Sequence, residues 1–94
     1  MKRGMNVVVL QGNVGPEDSI EYGQSKKGGE TCSFMVANDD RGGFTTWVRV
    51  NAGGGLVPIC RSYLETGRRI VVKGSLMNRS GGTLEVLAEE LIFE

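Results

Sequence analysis

The chain has 94 residues, with 11 basic and 11 acidic side chains, no histidine, 15 glycines against two prolines, and two cysteines. That length holds one domain, 1–94, with a modest core. Without histidine the usual general base, the usual partner of a serine or cysteine nucleophile and the commonest transition-metal ligand are missing, so neither an enzyme nor a metal or other cofactor is expected.

Zero net charge argues against a generic polyanion binder, but the charge is unevenly spread. All 11 Lys and Arg and seven acids lie in residues 1–84, a net +4, which Glu85, Glu89, Glu90 and Glu94 balance. A basic body ends in an acidic strand. No apolar run approaches a membrane span and no signal-peptide pattern opens the chain, so a cytosolic compartment and no membrane partner are expected.

Met1–Gly4 is a short basic lead-in whose Lys2 and Arg3 can reach phosphate from a frayed terminus. Asn6–Val14 reads as a strand with Val8, Leu10 and Val14 on one face and a bend at Gly12; Val7 and Val9 form a β-branched stripe on the other face. Gly15–Asp18 turns the chain, Ser19–Tyr22 makes a short edge strand, and Gln24–Gly29 is a hairpin tip bearing Lys26 and Lys27. Cys32, Phe34 and Val36 then alternate with Ser33, Met35 and Ala37, a strand with an apolar face.

After the loop Asn38–Gly43, with Arg41 in it and Phe44 at its end, comes Thr45-Thr46-Trp47-Val48-Arg49-Val50, which carries the one tryptophan. Strand alternation sends Val48 and Val50 to the core and Trp47 and Arg49 to the opposite face with Thr45. An exposed indole is a flat surface for a base, and a guanidinium two residues away can stack or pair with phosphate, which points to single-stranded nucleic acid. The same pattern also allows Trp47 to close one end of a core beside a solvated Arg49.

Gly53-Gly54-Gly55 lacks the lysine and Ser/Thr of a phosphate loop. Leu56, Ile59, Cys60, Tyr63 and Leu64 follow at helical spacing, with Pro58 in the first turn and Gly67 in the left-handed position just past the end. Cys32 and Cys60 both fall on apolar stripes and are expected to be buried, reduced thiols. Arg68–Met77 is a strand with Ile70, Val72 and Leu76 inward, Lys73 outward and a bulge or bend at Gly74; Asn78–Gly82 is a polar hairpin containing Arg79. Thr83–Phe93 is the last strand, where the pair Glu89-Glu90 breaks alternation and suggests a bulge or a short turn before Leu91-Ile92-Phe93. Three strands, a helix and two strands is the order of the five-stranded OB-fold barrel, so an all-β barrel with one helix between strands three and four is the predicted fold.

In that frame the motifs resemble the bacterial and phage single-stranded DNA-binding protein family over Asn6 to about Phe93. The matching pieces are Asn6-x-Val8-x-Leu10-x-Gly12-x-Val14, Pro16-Glu17, Gly29 to Phe34-x-Val36-Ala37 and Thr46-Trp47-x-Arg49-Val50. After them come Leu56 through Tyr63-Leu64-x-x-Gly67, Val71-x-x-Gly74-x-Leu76 and Glu85–Glu90. The resemblance implies sequence-independent binding and protection of single-stranded DNA in replication, recombination and repair, in the cytoplasm of a bacterial cell or phage-infected bacterium. It implies that Trp47 stacks on bases and Arg49 lies in the same groove. It also implies a homo-oligomer, most often a tetramer, with a dimer as the alternative, in which the first strand, with Val7 and Val9, pairs subunits.

Three departures bear on this. Family members usually carry an aromatic where this chain has Gly53, and a further tryptophan in the final hairpin. At about 1–3 kcal/mol per stacked base, two missing platforms amount to as much as several powers of ten in affinity, unless Phe44, Tyr22, Lys26, Lys27, Arg41, Lys73 and Arg79 compensate. Family members also commonly continue into a flexible linker with an acidic tip, so recruitment of replication or repair proteins is expected only if such a tail follows Glu94. The competing reading keeps the OB fold but makes it a protein-interaction or assembly module, which net neutrality and the missing aromatics favour.

Overall fold

The computed structural model describes residues 4–79 and 81–94; the Lys2 and Arg3 expectation lies outside them. Six strands form one sheet: β1 Val8–Val14, β2 Glu21–Gln24, β3 Glu30–Asp39, β4 Thr45–Gly53, β5 Arg69–Asn78 and β6 Leu84–Phe93. Among the described residues one α-helix, α1, spans Leu56–Tyr63 between β4 and β5, and a 3-10 turn covers Glu17–Ser19. The strand order is β1-β5-β6-β4-β3-β2, and β1 also pairs with β3, so five strands close into a barrel while β2 hangs on β3 as an edge arm. All pairings are antiparallel except β4 with β6. The predicted OB-fold barrel is present, with its helix in the expected place.

Closure depends on two glycines. At Gly12, β1 passes from its pairing with β5 (Gly12 opposite Ile70) to its pairing with β3 (Asn13 opposite Ala37), and a Cβ there would lie on the Ala37 carbonyl oxygen. At Gly74 a Cβ would lie on the Leu87 carbonyl oxygen. Beside it the register steps from Lys73 opposite Glu90 to Gly74 opposite Ala88, so Glu89 is the extra residue of the predicted bulge.

The core is built from the inward halves of alternating strands. Phe34, Val36, Val50, Ile70, Val72 and Val86 are all essentially inaccessible, and Cys32 and Cys60 are buried free thiols. The neighbouring Cys32 thiol, with burial, pushes the Cys60 thiol far above its ordinary value and keeps it protonated.

Three expectations are corrected. The buried face of α1 is Val57 and Cys60, with Leu56 and Leu64 partly covered, whereas Ile59 and Tyr63 are exposed. Two turns of helix are too short for periodicity to set the phase, and the barrel end it covers decides it. The Tyr63 ring lies against Phe93 instead, with ring centroids 5.8 Å apart and the Arg68 guanidinium over both. Gly67 has a positive φ of 83° but is not the helix cap, because Leu64 is already extended. It is the third residue of the turn Glu65–Arg68, and its N–H donates to the Val14 carbonyl at 2.8 Å. Leu76 is 46% exposed. The strand β1 begins only at Val8, opposite Gly74, so no apolar side chain of β1 covers Leu76. The Asn6 side chain takes that place, bonding both the Leu76 N–H (2.8 Å) and carbonyl (2.9 Å).

Candidate nucleic-acid interface

The β3–β4 ribbon presents two distinct faces. Phe34 pairs with Val50 and Val36 with Val48 toward the core, while Ala37 pairs with Trp47, Met35 with Arg49 and Ser33 with Asn51 on the outer face. Outer residues recur every second position, about 7 Å apart, giving a track of about 27 Å from Thr45 to Gly53.

Trp47 is 52% exposed, against 0% for Val50 three residues on. One edge of its indole rests on the turn after β1: a Cβ at Gly15 would stand 3.1 Å from Trp47 Cζ3 and 3.1 Å from Met35 Cβ. The small Ala37 lies beside the ring on β3. The other half of the indole is left bare. Arg49 is half-buried and its Nη1 donates to Ser33 Oγ at 3.3 Å, which steers the guanidinium along the groove.

At one end of the track the β3–β4 loop is tied down by Asp40, whose Oδ1 accepts from the N–H groups of Gly42 (2.8 Å) and Phe44 (3.0 Å). Gly43 at φ 81° supplies the left-handed residue of this turn. The loop carries Arg41 and a Phe44 that is 73% exposed. Both side chains are exposed at the Thr45 end of the track. At the other end lies a groove of about 540 Å³ whose lining includes Gln24, Lys26, Ser33, Asn51, Gly53 and Arg79. Lys26 and Lys27 sit on the β2–β3 turn, closed by the Gly28 N–H bonding to the Ser25 carbonyl.

Two residues of the groove lining, Asn51 and Arg79, are joined by an acid behind them. Glu85 Oε1 accepts from Asn51 Nδ2 at 2.7 Å and from Arg79 Nε at 3.1 Å. Burial works against its ionisation, but the hydrogen bonds from Asn51 and Arg79 and the charges of Arg79 and Arg49 outweigh it and hold the carboxyl below its ordinary value.

Of the residues singled out in the sequence, Trp47, Arg49, Phe44, Arg41, Lys26, Lys27 and Arg79 line or flank this one surface. Tyr22 and Lys73 are placed differently. Tyr22 is in the groove wall, but it pairs with Cys32, on the side of β2 away from Arg49, and the Arg61 guanidinium covers its ring at 4.4 Å. Burial, with the nearby Cys32 and Cys60, raises its hydroxyl pKa above the usual phenol value. Lys73 lies between Val9 and Glu90, 3.8 Å from the Glu90 carboxylate, on the outer face of β1–β5–β6. Ser33, Met35, Asn51, Gly15 and Glu85 were not singled out. Strand alternation carried the signal for the first three; no local pattern carries it for Gly15 or Glu85.

Comparison with known proteins bears directly on this surface. Residues 5–85 match the single-strand binding protein family. The chain belongs to that family. It is 34% identical over 88 residues to Single-stranded DNA-binding protein 1 of Chlorobaculum tepidum, covering 85% of this chain and 53% of that one. It is also 34% identical over 82 residues to the single-stranded DNA-binding protein of Xylella fastidiosa, covering 81% of this chain and 50% of that one. The chain thus spans about half the length of these curated relatives. Among solved structures, the Plasmodium falciparum SSB complex with ssDNA superposes with a TM-score of 0.81 at 25% identity, covering 100% of this chain and 98% of the other. Among the described residues no helix is long and apolar enough to cross a membrane.

Proposed function

We propose that this member of the single-strand binding family binds and protects single-stranded DNA without catalysing a reaction, serving replication, recombination and repair. The observation that carries the reading is the half-bare indole of Trp47 on the outer β3–β4 face, in line with Arg49 and leading into a groove rimmed by Lys26. Bases stack on Trp47 and Phe44, while Arg49, Arg41, Lys26 and Lys27 meet phosphates. Stacking is indifferent to base identity, so little sequence preference follows. Such a binder works in the cytoplasm, where the strand is exposed.

The test is a titration of Trp47 fluorescence with an oligothymidine at two salt concentrations. Strong quenching that weakens as salt rises is expected, because each neutralised phosphate releases a counterion. No quenching at low salt would favour an OB-fold assembly module instead.

Assembly is the second part of the proposal. Val7 and Val9 are 71% and 65% exposed, and Val71 and Ile92 add apolar surface to the same face of β5 and β6 beside the Lys73–Glu90 pair. Two copies meeting across a two-fold axis would bury this face twice over. Replacing both Val7 and Val9 by lysine is expected to split the oligomer while the barrel stays folded, since like charges then oppose each other at the axis. Sedimentation checks this: an oligomer of unchanged mass in the double variant, or a monomeric wild type, rules out this face as the interface.

A further inference from the structure

The Arg79 guanidinium is held along its Nε–Nη2 edge. Its Nε donates to Glu85 Oε1 at 3.1 Å and its Nη2 donates to Asn51 Oδ1 at 2.8 Å, while Asn51 Nδ2 donates to the same Glu85 oxygen at 2.7 Å. Three side chains, from β4, from the hairpin after β5 and from β6, thus close a ring that fixes the guanidinium plane.

The ring has two chemical consequences. The charge of Arg79 is matched by a carboxylate whose side chain is only 14% exposed, so the pair adds no net charge to the groove. A phosphate brought to the remaining N–H groups would meet the field of that carboxylate as well as that of the guanidinium. One edge is occupied, yet the Arg79 side chain is still 51% exposed and lines the groove beside Leu87 and Asn51. A half-exposed guanidinium whose plane is fixed along one edge is a planar, weakly hydrated surface of the kind on which a nucleobase stacks.

We propose that Arg79 is a stacking platform for a base, not a phosphate contact, and that Asn51 and Glu85 are positioning residues that hold its plane. This rests on the single-stranded DNA reading above. It gives the groove, which has Gly53 in its wall and no tryptophan, a flat surface at its far end. It also reverses the obvious expectation for an acid beside a DNA groove, since Glu85 helps binding by orienting Arg79.

Affinity for one oligothymidine, measured across a salt series, tests this with two variants. Arg79→Lys keeps the charge and loses the plane; Arg79→Met combined with Glu85→Gln removes the plane and the ion pair together, so the groove's net charge is unchanged. Both are expected to bind about tenfold more weakly than wild type, with the slope of log affinity against log salt unaltered. Wild-type affinity in Arg79→Lys overturns the platform. So does a slope reduced by about 0.7 in the double variant, which is the signature of one lost phosphate contact. Should the double variant not fold, Arg79→Lys decides alone. A wild type that does not bind the oligonucleotide defeats the single-stranded DNA reading itself, whereas binding with an unaffected Arg79→Lys defeats only the platform.

Discussion

Trp47→Ala is expected to weaken binding of single-stranded DNA by about 1–3 kcal/mol, roughly five- to 150-fold, while the barrel remains folded. The indole is half bare, and its covered edge meets the Gly15 turn and Met35, not the core. Loss of that partial burial costs about 1 kcal/mol of stability. A domain of this size has roughly 5–15 kcal/mol to lose, so the variant folds. Oligothymidine affinity read by an extrinsic label, alongside a urea melt, separates the two quantities. A variant that loses several kcal/mol in the melt and nothing in affinity would mean that Trp47 serves the core and that the faces of β4 are assigned wrongly.

The opposite partition is expected one strand away. Phe34→Ala should cost about 3–5 kcal/mol of stability, because the ring is completely inaccessible in the barrel core and its removal leaves a cavity that a closed barrel cannot collapse to fill. For a domain of this length, each kcal/mol lowers the melting temperature by about 4–8 °C. Just below the shifted transition the folded fraction should still bind oligothymidine with nearly wild-type affinity, since Phe34 faces away from the track that Met35 and Arg49 share. A stability loss below about 1 kcal/mol would show that the inner face of β3 is not the core. Together the two variants test one claim from both sides: that β3 and β4 divide their residues strictly between folding and contact.

That division was legible in the sequence. The two-residue period of a strand is local, so Cys32, Phe34 and Val36 could be assigned inward and Trp47 and Arg49 outward without knowing any partner strand. The bend at Gly12, the bulge at Glu89-Glu90 and the Lys26–Lys27 hairpin tip were readable for the same reason: each is a break in a local pattern. The phase of α1 was not, because two turns fit more than one buried face, and only the end of the barrel selects Val57 over Ile59. Tyr22, Lys73 and Leu76 took positions set by what closure laid against them: Arg61 over one ring, Glu90 beside one ammonium, and no β1 side chain beyond Val8 for the leucine. The network of Asn51, Arg79 and Glu85 is furthest from any sequence signal. Asn51 bonds to residues 28 and 34 positions away, and Glu85, by composition one more charge in an acidic strand, meets Arg79 across the β5–β6 hairpin but reaches Asn51 only through the parallel pairing of β4 with β6. Alternation along a strand is set by backbone geometry that each residue carries with it, whereas the partner of a polar side chain is set by which strands the barrel makes neighbours.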